Sequence, residues 1–195
     1  AWAILATGVL VFGGLFAVSR ILDVDLGISI FAAPPTPTPT PTPGNQSPYS
    51  GTPSAVPGTI LTAQYDNGGE GVAYHDTDGT NQMSGTYRPG LGVDSNGSGI
   101  GWILGGEWLE YTVNVSQSGS YTIWIPVSQE AAGGKLHVSF NGSNVTGSLS
   151  IPNTGNWGTY QNVTKTVNLS AGTQVMQVVF DANGNGTIDD IGELF

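Results

Sequence analysis

The pattern of apolar and polar positions changes twice along the chain. Residues 1–19, AWAILATGVLVFGGLFAVS, carry no charged side chain. As a helix they would span roughly 28 Å, close to the hydrocarbon thickness of a bilayer. The apolar positions then continue past Arg20, Asp23 and Asp25 as Ile21, Leu22, Val24, Leu26, Ile28, Ile30 and Phe31. This predicts one long hydrophobic α-helix over residues 1–33. From Pro34 the pattern stops, and PPTPTPTPTPG is followed by NQSPYSGTPSAVPG. Alternating proline removes backbone donors and favours polyproline II, so residues 34–57 read as a semi-rigid linker.

From residue 58 onward the period becomes two. Leu109, Tyr111, Val113 and Val115 make one face of a strand, and Glu110, Thr112 and Asn114 make the other. Tyr121, Ile123, Ile125 and Val127 repeat the pattern, as do 136–140 and 175–180; 159–169 alternates more weakly. Turn signals lie at Asn67-Gly68, Asn96-Gly97, Asn141-Gly142 and 184–186. No helical period of useful length interrupts them. Residues 58–195 therefore predict an all-β sandwich.

Composition narrows the chemistry. Four Lys and Arg stand against 14 Asp and Glu, for a formal net charge of −10. Nucleic-acid binding, which needs cations to neutralise phosphates, is excluded as a function. No cysteine is present, so neither a disulfide nor thiol chemistry enters. Charged residues make up only 9% of the chain, with 30 glycines. Short strands on Gly and Asn turns, rich in hydroxyls and amides, fit an exported surface protein.

Catalysis finds little footing. His75 and His137 are the only histidines, and no metalloprotease, nucleophile-elbow or phosphate-loop motif occurs. Glu107 and Glu110, three apart on a strand, point to opposite faces and make no glycosidase pair. Asp76 and Asp78 share a face without an obvious further partner. The expectation is a protein that is not an enzyme.

In order along the chain come VPGTI (56–60), YDNGGEGVAYHDTD (65–78), GTYR (85–88), GEWLEYTVNV (106–115), IPNTGNWGTYQNVTKTVNL (151–169) and VVFD with IDDI (178–191). Together these resemble family 6 carbohydrate-binding modules, over nearly all of 58–195. The resemblance implies a jelly-roll sandwich that binds polysaccharide without catalysis. It implies two aromatic side chains flanking a sugar ring, Tyr87 and Trp157, and a carboxylate, Glu70, that accepts hydrogen bonds from sugar hydroxyls. Stacking of a pyranose C–H face on an aromatic plane is the physical basis. The family's C-terminal Asn position is here Thr187, with Asn185 close by.

Calcium has two readings. The family's structural site takes two glutamates from its opening strand, where this chain has Leu61 and Ala63; the C-terminal Asp is kept as Asp189. Separately, Asp181, Asn183, Asn185 and Asp189 follow the spacing of an EF-hand loop through its ninth position, whereas the twelfth is Gly192. The competing reading is a Gly/Asn turn.

The apolar run that starts at residue 1, with neither Met nor a cationic leader, resembles type IV filament subunits, the pilins and archaellins. Their processing peptidase cuts on the N-terminal side of the hydrophobic helix, which sits in the membrane before assembly and then packs against copies of itself. Leu5 stands where bacterial pilins carry Glu, so the pattern is nearer the archaeal type. A single-span membrane anchor and a remnant signal segment are the other readings. Asn-x-Ser/Thr sequons at Asn45, Asn96, Asn114, Asn141, Asn144, Asn162, Asn168 and Asn185 predict glycosylation. Thr36, Thr38, Thr40 and Thr42 are O-glycan candidates in the linker.

Overall fold

The computed structural model describes residues 45–83, 87–131, 133–183, 189–191 and 193–194, the last two spans by backbone alone. The expected helix at 1–33, the linker threonines, and Asn185 and Thr187 lie outside these residues. Among the described residues no helix is long and apolar enough to cross a membrane.

The first strands are β1 (Ser54–Val56), β2 (Ile60–Leu61), β3 (Tyr74–His75), β4 (Ile100–Ile103), β5 (Trp108–Val115) and β6 (Gly119–Ser128). There follow β7 (Lys135–Phe140), β8 (Ser143–Asn144), β9 (Leu149–Ser150), β10 (Gln161–Leu169), β11 (Gly172–Ala182), β12 (Asp189–Ile191) and β13 (Glu193–Leu194). The larger sheet runs β1-β5-β11-β7-β8, with β3 beside β5 and β9 beside β7. The smaller runs β10-β6-β12-β4, and β13 pairs with β2.

Strict alternation decides which face is inside. Leu109, Tyr111, Val113 and Val115 of β5 are buried, as are Met176, Val178 and Phe180 of β11 and Ile123, Ile125 and Val127 of β6. Meeting face to face, they form one core. Removing a fully buried member such as Ile125 by Ile→Ala would cost about 2–5 kcal/mol through lost transfer energy and the cavity left behind. Tyr111, buried to the hydroxyl, donates a 2.9 Å hydrogen bond to the Thr62 carbonyl. The alternation expected over 109–115, 121–127, 136–140 and 175–180 is observed, except that Ser139 is also buried and Tyr121 only partly so.

Two boundaries differ from the sequence reading. Strand β10 begins at Gln161 rather than Thr159, because the Asn156 side chain holds Thr159 in the preceding loop, accepting from its hydroxyl at 3.1 Å. Residues 45–57, read as linker, lie on the sandwich. Strand β1 pairs in parallel with Val113–Val115 of β5, Ser47 and Asn67 exchange backbone hydrogen bonds, and Gln46 is buried against Asp66 at 2.9 Å. Proline here does not force a spacer, since the prolines flank Ser54–Val56 and leave its donors free. Asn141 and Gly142 both adopt positive φ, 50° and 75°, as a primed hairpin turn between β7 and β8 requires.

Candidate functional site

Strands β4, β6 and β11 end, and β5, β7, β10 and β12 begin, at one end of the sandwich. The loop between β9 and β10, which leads into β10 there, carries Trp157 with 38% of its surface exposed. The loop is rigid by construction. The buried Ser128 hydroxyl at the end of β6 donates to the Trp157 carbonyl at 2.9 Å. Thr154 both accepts from the Gln129 amide at 2.9 Å and donates to the Gln129 carbonyl at 3.0 Å. The Asn156 side chain accepts from Gly158 N at 2.9 Å. An exposed indole on a loop fixed by its own hydrogen bonds is preorganised, losing little side-chain freedom on binding.

A second exposed indole escaped the sequence reading. Trp102, on β4, is 42% exposed and adopts φ of 52°. Across β12, Asp189 lies opposite Ile103 and Ile191 opposite Ile100. Gly101 and Trp102 thus face the single residue Asp190, a bulge. The extra residue reverses alternation, so Ile100 and Ile103 both point into the core and Trp102 is turned out. Asp190 is in register with Ser128 on its other side. Trp102 and Ser128, whose hydroxyl holds the Trp157 carbonyl, therefore stand about two strand spacings apart, roughly 10 Å. A non-glycine residue held at positive φ costs of order 1–3 kcal/mol, and such strain gathers at functional sites.

Glu70 is half exposed and oriented from two directions. One oxygen meets His75 Nδ1 in a short contact, and the other accepts from Asp76 N at 3.0 Å. Asp76 leads back to the bulge. Its carboxylate lies with those of Asp78 and Asp94, one oxygen of each within 4.8 Å of the others, and the Asp94 carbonyl accepts from Gly101 N at 2.9 Å. Asp94 is thus the partner that Asp76 and Asp78 lacked in the sequence. Glu107, set aside in the sequence as half of a glycosidase pair, is structural. It accepts from Thr77 N at 3.0 Å and Leu104 N at 2.8 Å and is nearly buried.

Burial is the main cause that pushes the Asp94 carboxyl up to about 6, with the neighbouring Asp78 and Asp76 charges adding to it. Between the ordinary carboxyl value of roughly 4 and that figure, the folded chain keeps a proton that the unfolded chain releases. The contribution of this group to stability is therefore lowest at neutral pH, grows as pH falls through 6, and levels off below about 4. Asp94→Asn keeps the acceptor that Gln82 N uses. It should raise the unfolding free energy at pH 7 by ~1–2 kcal/mol and shrink the gain on going to pH 5. Denaturant titrations at the two pH values check this, and identical pH dependence in variant and parent would contradict it.

Tyr87 has a different setting from the two indoles. Its ring lies against Gly97, where an added Cβ would come within 2.9 Å of it, and pairs with Tyr49 at 6.5 Å between centroids. Burial pushes its phenol up to about 12, and the Tyr49 hydroxyl beside it adds to the rise. The following residue, Arg88, donates to the Tyr65 carbonyl, to the Asp66 carbonyl at 3.0 Å and to Asn67 Oδ1 at 3.1 Å. Arg88 thus ties down the segment 65–67 that leads into the Glu70 loop.

Neither calcium reading is fitted by the described side chains. Leu61 is partly buried and Ala63 fully so, an apolar setting with no ligand to offer. Asp181 is on strand β11, not in a loop, and contacts His137 Nδ1 at 2.8 Å. Asn183 Oδ1 accepts from Gly105 N. The Asn185 position and the Asp189 side chain lie outside the described residues. Asn96, Asn114, Asn141, Asn144, Asn162 and Asn168 are all exposed.

A β-sandwich that turns rigidly held indoles, carboxylates and amides outward at one loop-built end defines a glycan-binding module. Residues 70–194 match Carbohydrate binding module (family 6), and the chain belongs to that family. It is similar to the module CBM6cm-2 from Cellvibrio mixtus lichenase 5A, solved in complex with cellotriose. The two are 30% identical over 70% of this chain and 93% of that one, with a TM-score of 0.51. The C-terminal family 6 module of LamC from Zobellia galactanivorans is 26% identical over 70% and 94%, with a TM-score of 0.52. Clotting factor G alpha subunit of Tachypleus tridentatus is 41% identical over 70 residues, 35% of this chain. The chain spans 10% to 26% of the length of the curated relatives it matches.

Proposed function

We propose that the sandwich end binds a neutral β-glucan, with Trp102 and Trp157 stacking on opposite sides of one sugar ring and Glu70 accepting from its hydroxyls. The observation that carries this is the pair of outward indoles, one turned out by a bulge and one fixed by the Ser128 and Asn156 hydrogen bonds. The cellotriose held by the Cellvibrio mixtus module supports the ligand class. Binding is by shape and hydrogen bonding, so the chain holds polysaccharide without cleaving it and needs no metal for this. Thr187 and Asn185 would complete the hydrogen bonding from the β11–β12 connection.

We further propose that residues 1–33 self-assemble as the core of an extracellular type IV-like filament after passage through the membrane. The Pro/Thr spacer then carries the module outward as an adhesive surface, with glycans on its exposed sequons and linker threonines. The uncharged run of residues 1–19 and the apolar positions continuing to Phe31 support this. The length of the uncharged run also suits a membrane anchor. Filaments sheared from cells should contain this chain, and Leu10→Asp or Phe12→Asp should abolish them while binding to immobilised β-glucan persists. A monomer confined to the membrane fraction would favour the anchor.

A further inference from the structure

The outer face of the smaller sheet carries a third indole that the site described above does not use. On β6, Ser120, Thr122, Trp124 and Pro126 alternate with the core residues, and Trp124 is 47% exposed. On the neighbouring edge strand β10, Thr164 stands directly opposite Trp124 and Asn162 opposite Pro126; Thr166 stands opposite Thr122. The side chains that share Trp124's side of these two strands are uncharged, in a protein whose formal net charge is −10; Lys165, exposed on the edge strand, stands opposite the inward Ile123. Leaving so large an apolar surface in water is unfavourable, and its surroundings of hydroxyls and amides suit a neutral, hydroxyl-rich ligand better than a protein core.

The face is continuous with the loop site. Trp124 lies four residues before Ser128 on β6, the residue whose hydroxyl holds the Trp157 carbonyl. Four residues of extended strand cover about 14 Å. Tyr160, 46% exposed, immediately precedes Gln161, which is in register with Val127, and so lies at the Ser128 end of this face. Trp157 and Tyr160 thus stand at the Ser128 end of the face, with Trp124 four residues back along β6.

We infer that the glycan site extends along β6 and β10, with Trp124 as a distal stacking platform for a β-glucan chain that also occupies the Trp102–Trp157 end. This rests on the glycan-binding reading and adds a statement about length: the ligand is a run of chain several sugars long, not a terminal disaccharide. A protein partner or a second copy on the same face is the rival occupant.

The test uses the full chain, made in a host that adds no N-glycans so that Asn162 stays bare, with cellotriose and cellohexaose as probes in calorimetric titrations. The expected result is tighter binding of cellohexaose than of cellotriose by the parent. Trp124→Ala should weaken cellohexaose about tenfold and leave cellotriose within about twofold, whereas Trp157→Ala weakens both. Equal affinities of parent and Trp124→Ala for cellohexaose would overturn the inference while leaving the loop site intact. A dimer in sedimentation equilibrium that Trp124→Ala dissociates, with no change in saccharide binding, would overturn it in favour of a second copy. No binding of either saccharide by the parent would overturn the glycan-binding reading, and this extension with it.

Discussion

Arg88→Ala should lower the unfolding free energy by about 3 kcal/mol, with a fall in Tm of roughly 10 °C for a domain of this size. The guanidinium donates to three acceptors on Tyr65, Asp66 and Asn67, and its Cζ lies 3.8 Å from the Tyr65 ring centroid and 5.3 Å from that of Tyr49. Hydrogen bonds from a charged donor contribute about 1.5–3 kcal/mol each, though not additively, and a desolvated cation over a ring adds about 2. Removing the group strands carbonyls beside the buried Tyr65 and Asp66. The positive φ of Arg88, 47°, is equally unfavourable for alanine and so cancels in the comparison. Arg88→Lys separates charge from geometry. An ammonium is a point charge that cannot span three acceptors, so lysine should recover less than half of the loss. Thermal melts of the three proteins check this, and a Tm within about 2 °C of the parent for Arg88→Ala would show that the clasp contributes little. Loosening it should also free the segment 65–67 that leads into the Glu70 loop.

The second large effect is on binding. Stacking on an aromatic platform contributes about 1–3 kcal/mol per ring, by analogy with bases on aromatic side chains. Two rings enclosing one sugar therefore account for a large share of a weak affinity. Trp157→Ala and Trp102→Ala should each weaken β-glucan binding about ten- to a hundredfold. Trp102→Ala carries a second signature. Because that residue sits at φ of 52° in a bulge, Trp102→Gly should relieve backbone strain and raise stability while removing the platform. Loss of binding together with a higher Tm would separate the stacking role from a structural one.

The long strands were legible because their alternation is regular. In β5 and β6, each apolar residue at period two is buried, Tyr121 only partly, and each intervening residue is not fully buried, apart from the Ser128 terminus. Trp157 was legible for a local reason, since glycine and asparagine on both sides make a loop and a loop indole tends to face water. Trp102 was not. Period-two reading groups it with Ile100 on the inner face, and only the bulge against β12 breaks that grouping. A bulge is set by pairing between segments nearly ninety residues apart and leaves no mark in local sequence. The same holds for Asp94, which joins Asp76 and Asp78 only through the fold. Residues 45–57 were misplaced because they follow the Pro/Thr repeat and carry Pro48, Pro53 and Pro57, whereas three proline-free residues suffice for β1. Tyr87 was assigned by its place in a motif, and its packing against Gly97 and Tyr49 depends on contacts from distant loops.

The central claim is that the sandwich end holds sugar between Trp102 and Trp157. The most direct measurement is calorimetric titration of cellotriose into the full chain and into its Trp102→Ala, Trp157→Ala and doubly substituted forms, each first shown to melt cooperatively. The account predicts measurable binding by the parent, a ten- to hundredfold loss in each single variant, and no detectable heat in the double variant. Parent-like affinity in the folded double variant would contradict it and place the sugar elsewhere on the module.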